Sequence, residues 1–332
     1  MVLLETANPS SGRPLTVAIF GAGLIGSAIV SRLEASASLR KEELPFNWTD
    51  SSIQLGQLQD VETRILTGLG PNTKQLLSCS KLGAAQRLLR IVWSAGSAGF
   101  GASHDETERE LHVFRMVLDM AERLAVQYPG DPVSFYLMSS AGGLFEGQRH
   151  VDQNSRPTPP RRPYGLLKQC QEEFVMAAHH TIVKKIYRLT SVYGFIRTRH
   201  RRGLVPTMIL NGARRQATHI IGGMDTLRDF IWVEDVAGFI ARQLLDDSEA
   251  STESPYTLAS GKPCSIHEIQ KIVESTIGRK TYMTYSLDRS NSEDITFSNS
   301  LHPKGWFSSD LRLGSIRIYN DLVHSGILFN RV

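Results

Sequence analysis

A tyrosine and a lysine four residues apart, Tyr164 and Lys168, have the types and spacing for acid–base chemistry. Residues 169–178 contain no Gly or Pro and carry apolar groups at helical spacing, which predicts a helix. On that helix the two side chains would share one face, with Cβ atoms about 5–6 Å apart. A cation at about 4 Å favours an anion by on the order of 4 kcal/mol at an effective dielectric of 20. That energy can lower the pKa of a phenol from about 10 by roughly 3 units, although the spacing alone also occurs by chance.

A glycine-rich segment directly follows the first predicted buried strand, residues 15–20, and precedes a helical run over 27–35. In this strand–turn–helix context Gly21 permits a tight turn, Gly23 lets the backbone approach a pyrophosphate, and Gly26 allows close helix–strand packing. The helix N-terminus would present unpaired N–H groups to the phosphates. The predicted dinucleotide-binding residues here are Gly21, Gly23, Leu24, Ile25 and Gly26. The alternative is a tight βα turn that binds nothing.

The sequence offers more than one candidate for the residue that would bind the adenosine ribose. Asp50 is a candidate, but it lies 29 positions after Gly21, which is far for the second strand. Residues 44–50 could instead form the third strand, with a short second strand near Leu39. Arg40 and Lys41 would then lie near the ribose and could accept a 2′-phosphate, or belong to a solvated loop. The cofactor is therefore NAD or NADP, with NAD favoured.

Further strands and helices alternate along the chain. We predict strands over 88–93, 133–138 and 183–189, helices over 61–77 and 106–128, and a strand running into a helix over 227–237. This alternation predicts an α/β fold with a doubly wound parallel sheet of Rossmann type. Ligands in such sheets bind beyond the carboxyl ends of the strands. Ala95 and Gly96 would therefore lie near the cofactor, and Ser139 and Ser140 where chemistry occurs.

The composition is that of an ordinary globular chain, with 332 residues, 41% hydrophobic and 21% charged residues, and a net charge of +4. The small net charge does not indicate a nucleic-acid partner. We expect no membrane span, no metal site and a cytoplasmic protein with reduced cysteines, of which there are three. Residues 1–14 are predicted to be a flexible tail. A basic loop that includes Arg202 is either a solvated turn or a phosphate-binding segment.

Five motifs in order resemble the extended short-chain dehydrogenase/reductases, specifically the NAD-dependent epimerase/dehydratase group that acts on nucleotide sugars. They are Gly21–Gly26, Ser139-Ser140-Ala141, Pro163-Tyr164-x-x-x-Lys168, Arg188-Leu189-x-x-Val192-Tyr193-Gly194 and Arg228-Asp229-Phe230-Ile231-x-Val233-x-Asp235. The resemblance implies that Ser140 is the catalytic serine, Tyr164 the acid/base and Lys168 the residue that holds the nicotinamide ribose. It further implies that Arg228 meets the substrate diphosphate. Ser191 stands where many members carry a substrate-binding Asn.

The residues after the serine reduce the number of reactions that the resemblance implies. Ala141-Gly142-Gly143 offers neither the Asp-Glu pair of sugar dehydratases nor the Cys of epimerase-reductases. A nucleotide-sugar 4-epimerase or ketoreductase remains, expected in surface polysaccharide synthesis. The alternatives are a reductase of another small carbonyl compound and a cofactor-binding sensor without turnover. A homodimer is a candidate assembly.

The domains are predicted from the same motifs. Residues 15–194 form the dinucleotide-binding domain, to which 227–247 return. Residues 195–226 and 248–332 form a smaller C-terminal substrate-binding lobe.

Overall fold

The computed structural model describes residues 1–48, 50–68, 86–96, 98–196, 203–247, 251, 254–286 and 291–328. The chain divides into two compact units. The first comprises Met1–Leu144, Pro159–Arg188 and Ala237–Tyr256, and the second comprises Phe145–Thr158, Leu189–Val236 and Thr257–Val332. The roles predicted for a dinucleotide-binding domain and a substrate-binding lobe remain predictions. Among the described residues, no helix is both long and apolar enough to cross a membrane.

A seven-stranded sheet dominates the first unit. Its strands in chain order are β1 (Val2–Ala7), β2 (Pro14–Phe20), β3 (Arg40–Glu43), β4 (Leu88–Trp93), β5 (Val133–Ser140), β6 (Val183–Leu189) and β10 (Tyr256–Leu258). The order across the sheet is β10-β6-β5-β4-β2-β1-β3. Strands β2, β4 and β5 pair in parallel, which aligns Phe20 with Trp93 and Trp93 with Leu137. The predicted parallel α/β sheet is thus confirmed.

The first strand corrects two predictions. Residues 2–7 are not a flexible tail, because β1 pairs antiparallel with β2 on one side and with β3 on the other. Leu3 and Leu4 of β1 are buried, so the short apolar stretch at the start of the chain belongs to the core. The second strand expected near Leu39 is β3, but β1 separates it from β2. Residues 44–48, offered as a third strand, form none.

Among the described residues, five α-helices belong wholly to the first unit. They are α1 (Leu24–Ser36), α2 (Ser51–Thr67), α3 (His104–Gln127), α4 (Ala141–Leu144) and α5 (Pro163–Ala177). A capping box between Ser103 and Glu106 begins α3, and an apolar face that includes Phe114 and Val117 packs into the core. Of the helix predicted over 61–77, residues 61–67 belong to α2 and 69–77 lie outside the described residues.

The described part of the second unit contains two small sheets and three α-helices that lie wholly within it. Strands β7 (Ser191–Tyr193), β9 (Leu227–Trp232) and β11 (Pro263–Ser265) form one sheet, while β8 (Ala217–Ile221) and β12 (Tyr282–Ser286) form the other. The helices are α6 (Leu204–Ala213), α8 (Ile266–Ile277) and α9 (Leu311–His324), and α7 (Val233–Leu245) links the units along the chain. Buried residues such as Met208, Ile269 and Ile318 form one apolar cluster.

Candidate active site

The glycine loop between β2 and α1 is packed closely against neighbouring backbone at two of its glycines. Gly21 has φ +99°, and a Cβ there would lie 2.3 Å from the Cα of Ala95. At Gly26 a Cβ would lie 1.9 Å from the carbonyl oxygen of Gly21. Helix α1 then begins after Gly23, which caps it without a side-chain hydrogen bond. Unpaired N–H groups at a helix N-terminus attract phosphate oxygens, so this loop fits the pyrophosphate of a dinucleotide.

The loop after β4 lies directly against the glycine loop. The backbone N–H of Ser94 donates to the carbonyl oxygen of Phe20 at 2.9 Å, and its hydroxyl donates to that of Gly21 at 2.9 Å. These bonds hold Ala95 and Gly96 at the same edge of the sheet as Gly21. The structure thus brings together the two glycine-containing loops that the sequence placed near the cofactor.

Gly143 lies close to both Ser140, the last residue of β5, and Tyr164, in the first turn of α5. The Ser140 hydroxyl accepts the backbone N–H of Gly143 at 3.1 Å. Glycine at position 143 makes room for the tyrosine, since a Cβ there would lie 3.2 Å from two ring carbons of Tyr164. A Cβ at Gly165 would lie 2.6 Å from the carbonyl oxygen of Gly143, so the two backbones are in close contact. The sequence motifs around the serine and the tyrosine therefore form one packed structure.

An aromatic side chain that the sequence analysis missed lies beside Tyr164. The ring centroids of Phe100 and Tyr164 are 5.7 Å apart, and the Arg162 guanidinium lies 5.0 Å from the centre of the Phe100 ring. Tyr164 itself is only partly buried. Tyr164 is therefore partly accessible to solvent beside an aromatic ring.

Lys168 lies in a buried polar cluster one helical turn after Tyr164. Its ammonium donates to Oε1 of Gln171 at 2.9 Å, lies 3.5 Å from Oε1 of Glu110 and is 5.7 Å from the centre of the Tyr164 ring. The side chains of Lys168 and Glu110 are 6% and 8% exposed. The predicted pairing of Tyr164 and Lys168 on one helix face is present, joined by a carboxylate from α3.

A second buried cluster fixes the strand that carries Ser140. The hydroxyl of Ser139 donates to Oε1 of Glu172 at 2.5 Å, and Arg188 donates through Nη2 to Oε2 of Glu172 at 2.6 Å. Arg188 Nε contacts both carboxylate oxygens, at 3.0 and 3.1 Å. These bonds tie β5, α5 and β6 together. Neighbouring residues on a strand point to opposite faces, so anchoring Ser139 fixes the direction of Ser140.

Three buried tyrosines have raised pKa values, which favour the neutral phenol. Burial raises the pKa of Tyr136 to about 12, and it also raises the pKa values of Tyr187 and Tyr193. In each case the loss of hydration is the largest cause, because it disfavours the charged phenolate. Those three side chains are therefore unsuited to accept a proton near neutral pH.

The remaining predicted residues stay predictions. Asp50 is exposed at the start of α2, and its backbone N–H donates to the side chain of Asn47 at 3.1 Å. Ser191 begins β7 in the second unit. Arg228, also in that unit, donates to the carbonyl oxygens of Leu227 at 2.9 Å and Asn291 at 3.0 Å. Arg202 lies outside the described residues.

Glu110 and Gln171 are site residues that the sequence analysis missed. A signal was present for Glu110, because it falls on the apolar face of α3 with Thr107, Phe114 and Val117 at spacings of three, four and seven. A charge at such a position indicates a buried partner. Gln171 gave no comparable signal.

Comparison with known proteins supports the resemblance to the epimerase/dehydratase family. A protein of Methanocaldococcus jannaschii, provisionally named UDP-glucose 4-epimerase, is 29% identical over 206 residues, or 58% of this chain. The match covers 64% of that relative's length.

Solved structures share the fold at lower identity. The UDP-glucose 4-epimerase of Thermotoga maritima, solved with UDP-glucose, has a TM-score of 0.67 at 17% identity, covering 94% of this chain and 99% of that one. The UDP-glucuronic acid 4-epimerase of Bacillus cereus, solved with UDP-glucuronic acid and NAD, has a TM-score of 0.66 at 17% identity, covering 93% and 99%. Residues 17–259 match the NAD dependent epimerase/dehydratase family, and the chain belongs to that family.

Proposed function

We propose that this protein is an NAD-dependent epimerase of a UDP-sugar, acting by oxidation and re-reduction at one sugar carbon. The observation that carries the proposal is the arrangement of Ser140, Tyr164 and Lys168 within one unit whose glycine loop has the shape of a pyrophosphate cradle. The names of the relatives support a UDP-sugar and NAD. Bound NAD would supply the acceptor that takes up a hydride and returns it.

Tyr164 acts as the acid/base in this proposal. Oxidation of a sugar hydroxyl requires a group that accepts its proton, and reduction requires the same group to return it. Tyr164 has the partial exposure that a substrate hydroxyl needs, whereas Tyr136 and Tyr187 are buried. Ser140 orients the reacting oxygen through its hydroxyl, which the Gly143 N–H already holds in position.

Lys168 binds the nicotinamide ribose. An ammonium carries three N–H donors. Gln171 accepts from one, and the Glu110 carboxylate lies close to another at 3.5 Å. Among the described residues, this arrangement leaves a further donor for a ligand hydroxyl. The loop of Gly21, Gly23 and Gly26 holds the pyrophosphate, with the N–H groups at the start of α1 as donors.

The lack of an ionisable group after Ser140 supports plain hydride chemistry. Residues 141–144 form the short helix α4, and their side chains cannot exchange protons. Elimination of water from a sugar needs a second acid and base beside the tyrosine, whereas inversion at one carbon does not. An epimerase therefore fits better than a dehydratase.

A panel of UDP-hexoses and UDP-hexuronic acids tests the proposal. The purified protein, incubated with NAD and each UDP-sugar, is expected to convert at least one of them to its 4-epimer, with no net gain of NADH. Chromatography of the nucleotide sugars and absorbance at the NADH maximum measure the two quantities. Stoichiometric NADH formation would identify a dehydrogenase instead, and no conversion of any UDP-sugar would refute the proposal.

A further inference from the structure

Glu110 on α3 lies between the two parts of the site that would contact the nicotinamide half of a dinucleotide. Its Oε1 atom is 3.5 Å from the Lys168 ammonium, and its Oε2 atom accepts the backbone N–H of Ala98 at 3.3 Å. A Cβ at Gly96 would lie 3.0 Å from Oε1, so the loop after β4 rests directly on this carboxylate. One side chain thus contacts both the catalytic lysine and the cofactor loop.

Every neighbour that the structure records around this carboxylate is a hydrogen-bond donor. They are the ammonium of Lys168, the backbone N–H of Ala98 and the side-chain amide of Gln171, whose Nε2 lies 3.4 Å from Oε1. A carboxylate has only acceptors and suits all three at once. A glutamine would turn its own NH2 group towards one of the donors. Three donors around one side chain therefore favour a carboxylate over a glutamine at position 110.

We propose that Glu110 is a positioning residue, which holds Lys168 and the Gly96–Ala98 loop in a fixed relation so that both meet the cofactor together. This inference rests on the proposed function for the role of Lys168. The carboxylate and the Gln171 amide oxygen lie beside the buried ammonium at 3.5 and 2.9 Å, which fixes its position on α5. Glu172, four positions after Lys168 on the same helix, is already hydrogen-bonded to Arg188 and Ser139.

The first test measures NADH affinity by fluorescence, which needs no sugar substrate. Glu110→Gln is expected to weaken NADH binding by about tenfold to 100-fold, the size of one lost charge-assisted hydrogen bond. Glu110→Asp, which keeps the charge, is expected to recover part of that loss. The matched control is Glu108→Gln on the exposed face of α3, where the glutamate pairs only with His104 in the recorded contacts, and it should bind NADH like the wild type.

A double-mutant cycle shows whether Glu110 acts through Lys168. Lys168→Met should weaken NADH binding, and adding Glu110→Gln to it should cause little further loss. The double variant should also melt at a higher temperature than Lys168→Met alone, because that single variant leaves a buried carboxylate without its cation. Independent, additive losses in NADH affinity would overturn the proposal.

Two results separate this inference from the proposed function. In one, the wild type binds NADH and the variants show the expected non-additive losses in NADH affinity, while no UDP-sugar is converted. In that case the substrate assignment fails and the role of Glu110 stands. If UDP-sugars are converted but Glu110→Gln only lowers the melting temperature and leaves NADH affinity unchanged, Glu110 is structural. A wild type that does not bind NADH would overturn both.

Discussion

Two buried carboxylates, Glu172 on helix α5 and Glu110 on helix α3, are held in different ways. Glu172 is bound by Arg188 and Ser139 through contacts of 2.5–3.1 Å. The contacts recorded for Glu110 among the described residues are longer, 3.3–3.5 Å, to Ala98, Gln171 and Lys168. Both oxygens of the Glu172 carboxylate accept hydrogen bonds from Arg188, and one also accepts from Ser139. The Glu110 carboxylate shares its cation with Gln171 and, in our proposal, with a ligand.

The difference follows from the two cations. A guanidinium is planar and can bond both oxygens of a carboxylate at once, as Arg188 does, so it suits a fixed structural link. An ammonium is a compact charge on a flexible stem with three donors that can point to different partners. Lys168 is therefore suited to bind protein and ligand together. The Glu172–Arg188 pair, with short contacts to both carboxylate oxygens, is suited to a structural link. The Glu110–Lys168 pair, with a longer contact beside the loop after β4, is suited in our proposal to ligand binding.

The largest effect on stability is expected from Arg188→Met. Removing the arginine leaves the Glu172 charge buried with only Ser139 as a recorded partner. Breaking a buried ion pair in this way costs about 3–5 kcal/mol of the free energy of unfolding. Urea denaturation measures the loss, and the folded variant should bind NADH as the wild type does.

A second variant keeps this prediction informative if Arg188→Met does not fold. Adding Glu172→Gln removes the unpaired charge and should recover part of the stability. If Arg188→Met proved as stable as the wild type, or lost NADH affinity while stable, the structural role of the Glu172 cluster would be wrong.

A smaller effect is expected from Ser139→Ala. This change removes one hydrogen bond to the Glu172 carboxylate, whose arginine remains, and should cost about 1.5 kcal/mol in urea denaturation. Ser36→Ala at the end of α1 serves as the control, since its exposed hydroxyl bonds only a carbonyl of its own helix in the recorded contacts. Equal losses in the free energy of unfolding of both variants would show that the buried hydrogen bond to Glu172 stabilises the fold no more than an exposed one.

Local signals made the centre of the site predictable. The glycine loop, the serines at the end of β5 and the Tyr164–Lys168 pair each depend on residues close together in the sequence. Their spacing predicts the element and the direction of the side chains. Glu110 lies 58 positions before Lys168, and no local pattern connects the two. Its position on the apolar face of α3 indicated a buried partner but could not identify it.

Strands β1 and β3, which complete the sheet beyond β2, were also not predictable from local patterns. Strand β1 is short, and its antiparallel partner β3 consists of four charged residues, Arg40–Glu43. Charged residues are typical of an edge strand and carry no alternating apolar pattern. The interpretation of residues 1–14 as a tail failed because β-pairing partners are set by the whole sheet.

Replacement of Tyr164 by Phe tests the proposed chemistry most directly. The ring keeps its packing against Gly143 and Phe100, so folding and NADH affinity should be unchanged. Loss of the hydroxyl removes the group that exchanges a proton with the sugar. Turnover of the best UDP-sugar should therefore fall by about 10²–10⁴-fold, measured as kcat beside the exposed control Tyr282→Phe. Near-normal turnover in folded Tyr164→Phe would contradict the assignment of Tyr164 as the acid/base.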